Sequence, residues 1–230
     1  MMLSFYHSFF FGIFPYIALC SLAIGSFIRY EREQYSWQAS SSQILADKGL
    51  MLGNVLFHIG VIFIFFGHFA GLLTPHFIYE QFISAENKQL LAIIAGGIAG
   101  VLCFAGLTIL VVRRLFVERI RATSSFADIL ILVLLWMQVT LGLISIPFSL
   151  SHHDAGQMLA LSEWAQHILT FRGGAANFIV GTDFVFQMHL ILGLSIFLVF
   201  PFTRLVHMLS APLKYFVRPY QIVRSREARR

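Results

Sequence analysis

The stretch 53-GNVLFHIGVIFIFFGHFAGLLTPH-76 decides the fold. It is a near-continuous apolar run, and about 20 residues at 1.5 Å each cross the hydrocarbon of a bilayer. Two imidazoles, His58 and His68, stand inside it. A polar ring in lipid is costly without a partner, so an intramembrane histidine marks a functional site. The two rings are about 15 Å apart by helical rise, which predicts two stacked sites on one helix.

The rest of the chain has the same character. Of its 230 residues 58% are hydrophobic and only 12% are charged, with a mean hydropathy of +0.78. Soluble domains carry about 25% charged residues, so this composition predicts an integral membrane protein rather than a soluble helical one. The net charge of +5 raises nucleic acid as a partner. The cations lie between apolar runs and at the C-terminus, without a DNA- or RNA-binding motif, and no nucleic-acid partner is expected. Cys20 and Cys103 both fall inside apolar runs; packing, not a disulfide framework or a thiolate metal site, is their expected role.

Five spans are expected in an all-α bundle: about 9–27, 51–73, 90–112, 127–146 and 184–202. They form one membrane-embedded unit over 1–230, with a tail from 203 to 230. The fourth span is expected to stop at Pro147, and the longest connection to hold an amphipathic piece, GQMLALSEWAQHIL, and a glycine turn, FRGGAAN. The first run lacks Lys or Arg before it and lacks a cleavage signal, so it reads as a retained span rather than a leader. Of the 16 Lys and Arg residues, all but Lys88 and Arg172 fall in the first connection, the third connection or the tail. The positive-inside rule therefore predicts the N-terminus outside and the C-terminus cytoplasmic.

That topology pairs the histidines. Span 2 runs outward and span 5 inward, so His58 is level with His207 near the cytoplasmic face, and His68 with His189 toward the outside. Two cross-helix imidazole pairs at two depths are the arrangement for two bis-histidine haems. The step from His189 to His207 is 18 residues, about 27 Å on a straight helix against about 15 Å on span 2. Tilt and a bend at Pro201 are expected to absorb the difference. The same step is five whole turns, placing both span 5 imidazoles on one face.

Gly53, Gly60, Gly67, Gly71 and Gly193 leave room for a flat macrocycle, with ordinary small-residue packing as the alternative. Arg204 is a candidate partner for a haem propionate or an interfacial anchor. His7, His76, His167 and the run His152-His153-Asp154 receive no role.

Stacked haems make a wire with an outer and an inner end, and the lipid-soluble donor for it is quinol. Lys88, the cation nearest the outer end in the span 2–3 connection, is the candidate quinol-binding residue; a plain exposed loop residue is the alternative.

The runs RYEREQYSWQASSSQILADKGLMLGNVLFHIG, GHFAGLLTPHFIYE, FADILIL and MHLILGLSIFLVFPFTRLVH resemble the gamma subunit (cytochrome b) of membrane-bound respiratory nitrate reductase. The resemblance covers nearly the whole chain and its five-span layout. It implies that His58 and His207 hold the proximal haem b and that His68 and His189 hold the distal one. It implies a quinol site of Lys88, Gly67 and His68 beside the distal haem. It also implies an iron–sulfur beta subunit and a molybdenum-containing alpha subunit on the cytoplasmic side of a bacterial inner membrane, where nitrate is reduced to nitrite. Two alternatives stay open at this point. One is a dihaem quinol-oxidising anchor feeding a sulfur- or heterodisulfide-linked reductase. The other is a haem-free scaffold whose histidines relay protons.

Overall fold

The computed structural model describes residues 2–37, 42, 44, 48–151, 154–210 and 218–220. Among these residues it is helical, without a strand, and five helices are long and apolar enough to cross a membrane: Phe5–Arg32, Leu50–Leu73, Ala85–Phe116, Phe126–Ser151 and Phe184–Phe202. These are spans 1 to 5 below. Large side chains such as Phe63, Phe66 and Phe69 stand more than half exposed on span 2. Such a surface is compatible with lipid and costly in water. His152, His153 and most of the basic tail lie outside the described residues.

Span 1 is longer than the apolar run predicts, because Arg29 and Arg32 occupy its last turn instead of the following loop. Cations there oppose the negative end of the helix dipole. Its α-helix is interrupted by two π-helical turns, Phe9–Ile13 and Ser21–Gly25. The first has a direct cause. Pro15 has no N–H for the carbonyl four residues earlier, which is that of Phe11. The indole Nε1–H of Trp164 donates to that oxygen at 2.9 Å instead, so a backbone acceptor that would be expensive to leave bare in lipid becomes a tertiary contact.

Spans 2 and 3 form the tightest pair. A Cβ on Gly60 would stand 2.6 Å from the Ala99 carbonyl oxygen, and one on Gly106 would stand 2.4 Å from the Phe57 nitrogen. Only hydrogen side chains permit that approach, and Cys103 is fully buried in the seam. Span 3 begins at Ala85, earlier than expected, because Ser84 Oγ caps it by accepting from the Asn87 N–H at 3.3 Å. Lys88 therefore lies on the first turn of span 3 and not in the connection.

Span 4 does not stop at Pro147. It continues through the proline to Ser151. A membrane helix tolerates proline where neighbouring helices and hydroxyl groups absorb the lost bond. Helix Gly156–Leu169 follows the next connection, as its amphipathic pattern predicts, and lies across the end of span 2. Gln166 donates to the Leu72 carbonyl at 3.0 Å and Ser162 to that of Gly71 at 3.3 Å. Both are terminal carbonyls without partners inside the helix.

Span 5 departs most from expectation. Its α-helix runs from Phe184 to Val199, a 3₁₀ turn covers Phe200–Phe202, and Thr203 is extended (φ −120°, ψ 177°) before a second 3₁₀ segment, Arg204–Ser210. His189 and His207 do not share one straight helix, and the five-turn argument for a common face fails. Pro201 causes the break, because its ring cannot continue the hydrogen-bond ladder.

Candidate functional site

The break does not separate the imidazoles from their partners. The rings of His58 and His207 have centroids 6.5 Å apart at an interplanar angle of 66°, and those of His68 and His189 are 6.1 Å apart at 32°. The main helix contacts of span 2 are with span 3 and helix Gly156–Leu169, while those of span 5 are with spans 1 and 4. Spans 2 and 5 thus meet at these rings across a gap rather than through a packed seam.

The separations bear on what the pairs can hold. A metal bonded to one nitrogen of each ring at about 2.0–2.1 Å, the usual metal–imidazole length, holds the ring centroids about 6 Å apart. Two imidazoles hydrogen-bonded directly, at about 2.9 Å between nitrogens, hold them about 5 Å apart. Both observed pairs have the wider spacing. Among the described residues no group of three or more His, Cys, Asp or Glu side chains is placed to hold a metal, so the candidate centres are two-ligand sites.

Protonation is set by the surroundings of each ring. His58 Nδ1 lies 2.8 Å from the Asn54 carbonyl, His68 Nδ1 2.9 Å from that of Ile64, and His207 Nδ1 2.5 Å from that of Arg204. A carbonyl only accepts, so each Nδ1 is the donor, which leaves Nε2 as the nitrogen a metal can take. Metal-ligating histidines are held in this way, with the second N–H donated to a carbonyl or carboxylate.

His189 reaches the same tautomer by another route. The Gln138 side-chain amide, on span 4, donates from Nε2 to the His189 carbonyl at 3.1 Å and faces the His189 Nε2 at 3.2 Å. The carbonyl fixes which end of the amide is the nitrogen, so the ring Nε2 is the acceptor and Nδ1 has the proton. That Nδ1 and the Gln138 Oε1 are both buried without a hydrogen-bond partner, which is rare for buried polar atoms. Room for the arrangement comes from two glycines. A Cβ on Gly193 would stand 3.1 Å from Gln138 Nε2, and one on Gly142 would stand 3.2 Å from His189 Cε1.

The glycines therefore divide differently from the expectation that all five make space for a macrocycle. Gly53 and Gly60 face span 3, where added Cβ atoms would meet Ile109, Leu110, Ala99 and Cys103. Gly193 receives Gln138. Only Gly67 and Gly71 of the five face open space, with nothing within 4 Å of an added Cβ.

Lys88 stands at that open end. Its Nζ donates to the Gly71 carbonyl at 3.0 Å and lies 3.5 Å from the centroid of the Tyr79 ring. The negative end of span 2 and the face of an aromatic ring both favour a cation there, so Lys88 is a held group and not a free loop residue. Tyr79 is buried, with a phenolic oxygen that lacks a hydrogen-bond partner. Burial, then the nearby carboxylates of Glu80, Glu163 and Glu86, push its phenol above the ordinary value. It stays a neutral O–H through the physiological range.

At the other end Arg204 pairs with Asp128 at 2.7 Å, and Arg114 approaches the same carboxylate at 3.6 Å. Arg204 is thus tied to span 4 in this structure, and its own carbonyl is the acceptor for His207. His76 pairs with Glu80 at 3.1 Å and His167 with Glu163 at 3.8 Å. Gln138, Tyr79 and Arg29 (below) are the residues the sequence reading missed. A glutamine inside an apolar span is a signal of the same kind as the histidines.

Comparison with known proteins adds the family. The profile described as "Nitrate reductase gamma subunit" matches residues 7–226. The chain is 51% identical to the respiratory nitrate reductase 1 gamma chain of Escherichia coli (strain K12), over 97% of this chain and 100% of that one. It is 51% identical to the respiratory nitrate reductase 2 gamma chain of the same organism, over 98% and 100%. It is 38% identical to the nitrate reductase gamma chain of Bacillus subtilis (strain 168), over 94% and 96%.

Proposed function

The chain belongs to the nitrate reductase gamma subunit family, and from that premise we propose that it is the quinol-oxidising dihaem cytochrome b of a respiratory nitrate reductase. It is a membrane-helical subunit of an oxidoreductase complex. The observation that carries the finer reading is the pair of imidazole pairs, each at the ring separation one iron needs, at two depths of one gap.

His58 and His207 would hold the inner haem b, and His68 and His189 the outer one, each through Nε2; at His189 the iron would replace the Gln138 amide donor that this nitrogen accepts from here. When bound, the two haems supply one-electron carriers at two depths. The chain's own residues set where quinol meets them. Open space beside Gly67 and Gly71, next to His68, admits a flat ring. Lys88, with one of its three donors on the Gly71 carbonyl, has others to offer a quinol oxygen. Loss of two electrons from a quinol also releases two protons. The carboxylates of Glu80, Glu86 and Glu163 lie near enough to Tyr79 to influence its phenol, so acceptors for those protons stand on this side.

The distribution of Lys and Arg orients the wire. With the N-terminus outside and the C-terminus cytoplasmic, protons leave outside in a bacterial inner membrane. Electrons go in to an iron–sulfur beta subunit and a molybdenum-containing alpha subunit, where nitrate is reduced. The whole of 1–230 then acts as one dihaem unit. The test is haem content and steady-state quinol oxidation in the purified complex. Two b-type haems in this chain, with quinol oxidation lost when Lys88 is replaced by Ala, are expected. Full quinol turnover without haem in the chain would overturn the reading.

A further inference from the structure

His207 has a mechanical problem. It must come level with His58, yet the α-helix that should carry it ends at Val199, eight residues earlier. The backbone between them is 3₁₀ turn, extended residue and 3₁₀ turn. Such a path exposes carbonyls that a continuous helix would satisfy, and irregular backbone persists in a membrane only where other groups take those carbonyls up.

Span 1 supplies those groups from one face. Ser21, Gly25 and Arg29 recur at four-residue steps. Ser21 Oγ donates to the Leu198 carbonyl at 2.7 Å, before the break. Gly25 lies against the break itself, where an added Cβ would stand 2.7 Å from Pro201 Cγ. Arg29 Nη1 donates to the Pro201 carbonyl at 2.6 Å and to the Thr203 carbonyl at 2.9 Å, so one nitrogen spans both sides of the turn. The other edge of the guanidinium is fixed too, with Nη2 on the Ser36 carbonyl at 2.8 Å and Nε on Ser36 Oγ at 3.3 Å. The chain past the break is held in turn by Thr203 Oγ1, which accepts from the Leu205 N–H at 3.2 Å. Two residues later stands His207.

We propose that Arg29 is a positioning residue for His207. Its guanidinium locks the Pro201–Thr203 turn and so sets the height and aim of the inner imidazole, while Ser21 and Gly25 seat the turn against span 1. A planar fork with several donors is needed, because one ammonium cannot hold two carbonyls and the Ser36 loop in fixed relation. The inference rests on reading His207 as an iron ligand. It assigns to Arg29 a role different from that of a charge that merely orients the topology.

The experiment uses the full chain in its complex, with Arg29→Met, Arg29→Lys and Gly25→Ala. Two readouts are taken: low-temperature EPR of the two low-spin haems, and hydrogen exchange of backbone amides at Thr203–His207, which does not depend on haem. Hydrogen bonds from charged donors contribute enough that losing them should speed exchange about tenfold or more. Arg29→Met is expected to alter or lose the inner haem signal, to leave the outer signal unchanged and to speed exchange past Pro201. Arg29→Lys should show a smaller effect of the same kind, and Gly25→Ala the same selective change by displacing Pro201. If Arg29→Met does not accumulate, Arg29→Lys decides, since a selective inner change supports the clamp. Unchanged spectra and exchange, or equal loss of both signals in every variant, would overturn it. Wild-type protein without haem would instead remove the reading on which the clamp rests.

Discussion

His189 sits within a regular helix and His207 sits past the end of one, yet their rings lie 6.1 and 6.5 Å from those of His68 and His58. The His189 ring is held from the side, by the Gln138 amide reaching across from span 4 into the space left by Gly193. The His207 ring is held from behind. Its own segment is broken, and span 1 clamps the break through Ser21 and Arg29. The difference teaches that the placement of these imidazoles is a tertiary property. Span 2 is one uninterrupted helix and works as the ruler; span 5 is adjusted to it at two depths by two other spans.

Replacing the rings themselves is the coarsest way to break this comparison. His68→Ala or His189→Ala should remove the outer haem, leave the inner one and abolish quinol oxidation. His207→Ala should remove the inner haem and leave the outer. Haem per polypeptide and the visible spectrum check both; a variant that keeps two haems breaks the pairing.

The next largest effect isolates the sideways support. Gln138→Leu removes the amide that donates to the His189 Nε2 and keeps the volume apolar. That amide sits on the nitrogen the iron would take, so its removal should leave outer loading undiminished and inner loading normal in a haem titration. Gly142→Ala should instead weaken outer loading, because the new methyl would press on His189 Cε1. Equal weakening of both sites would show that the two supports are not separate.

Lys88→Ala separates quinol contact from haem placement. Both haems should remain, while kcat/KM for quinol falls by about tenfold or more, the scale of a hydrogen bond from a charged donor. Tyr79→Phe should be the mildest change. It keeps the ring under Lys88 and removes only the phenol, so a decrease below about tenfold is expected, as for a neutral hydrogen bond. The raised phenol pKa means the neutral form prevails until pH exceeds the ordinary tyrosine value. The pH profiles of wild type and Tyr79→Phe should therefore coincide in shape below about pH 10. A break near neutrality that vanishes in Tyr79→Phe would contradict this.

Much of this architecture is legible in the chain because lipid makes polarity informative. Long apolar runs announce the five spans. Antiparallel threading alone pairs His58 with His207 and His68 with His189, and the rings do meet. What is not legible depends on contacts between distant segments. Pro147 and Pro201 look alike as helix breakers, yet span 4 passes through one and span 5 breaks at the other, where Arg29 and Thr203 take up the freed carbonyls. The glycines of span 2 are equivalent in sequence, but Gly60 packs against span 3 and Gly67 faces open space. Arg29 counts as one more cation in the topology argument, and nothing local shows that its guanidinium is spent on two carbonyls of span 5.

The most direct test of the central claim is a dithionite-reduced minus oxidised visible spectrum of the full chain in its complex, with b-type haem counted per copy of this chain. Two haems per chain are predicted, one at each imidazole pair. A single haem, or none in folded protein supplied with haem, would contradict the account of two ligand pairs at two depths.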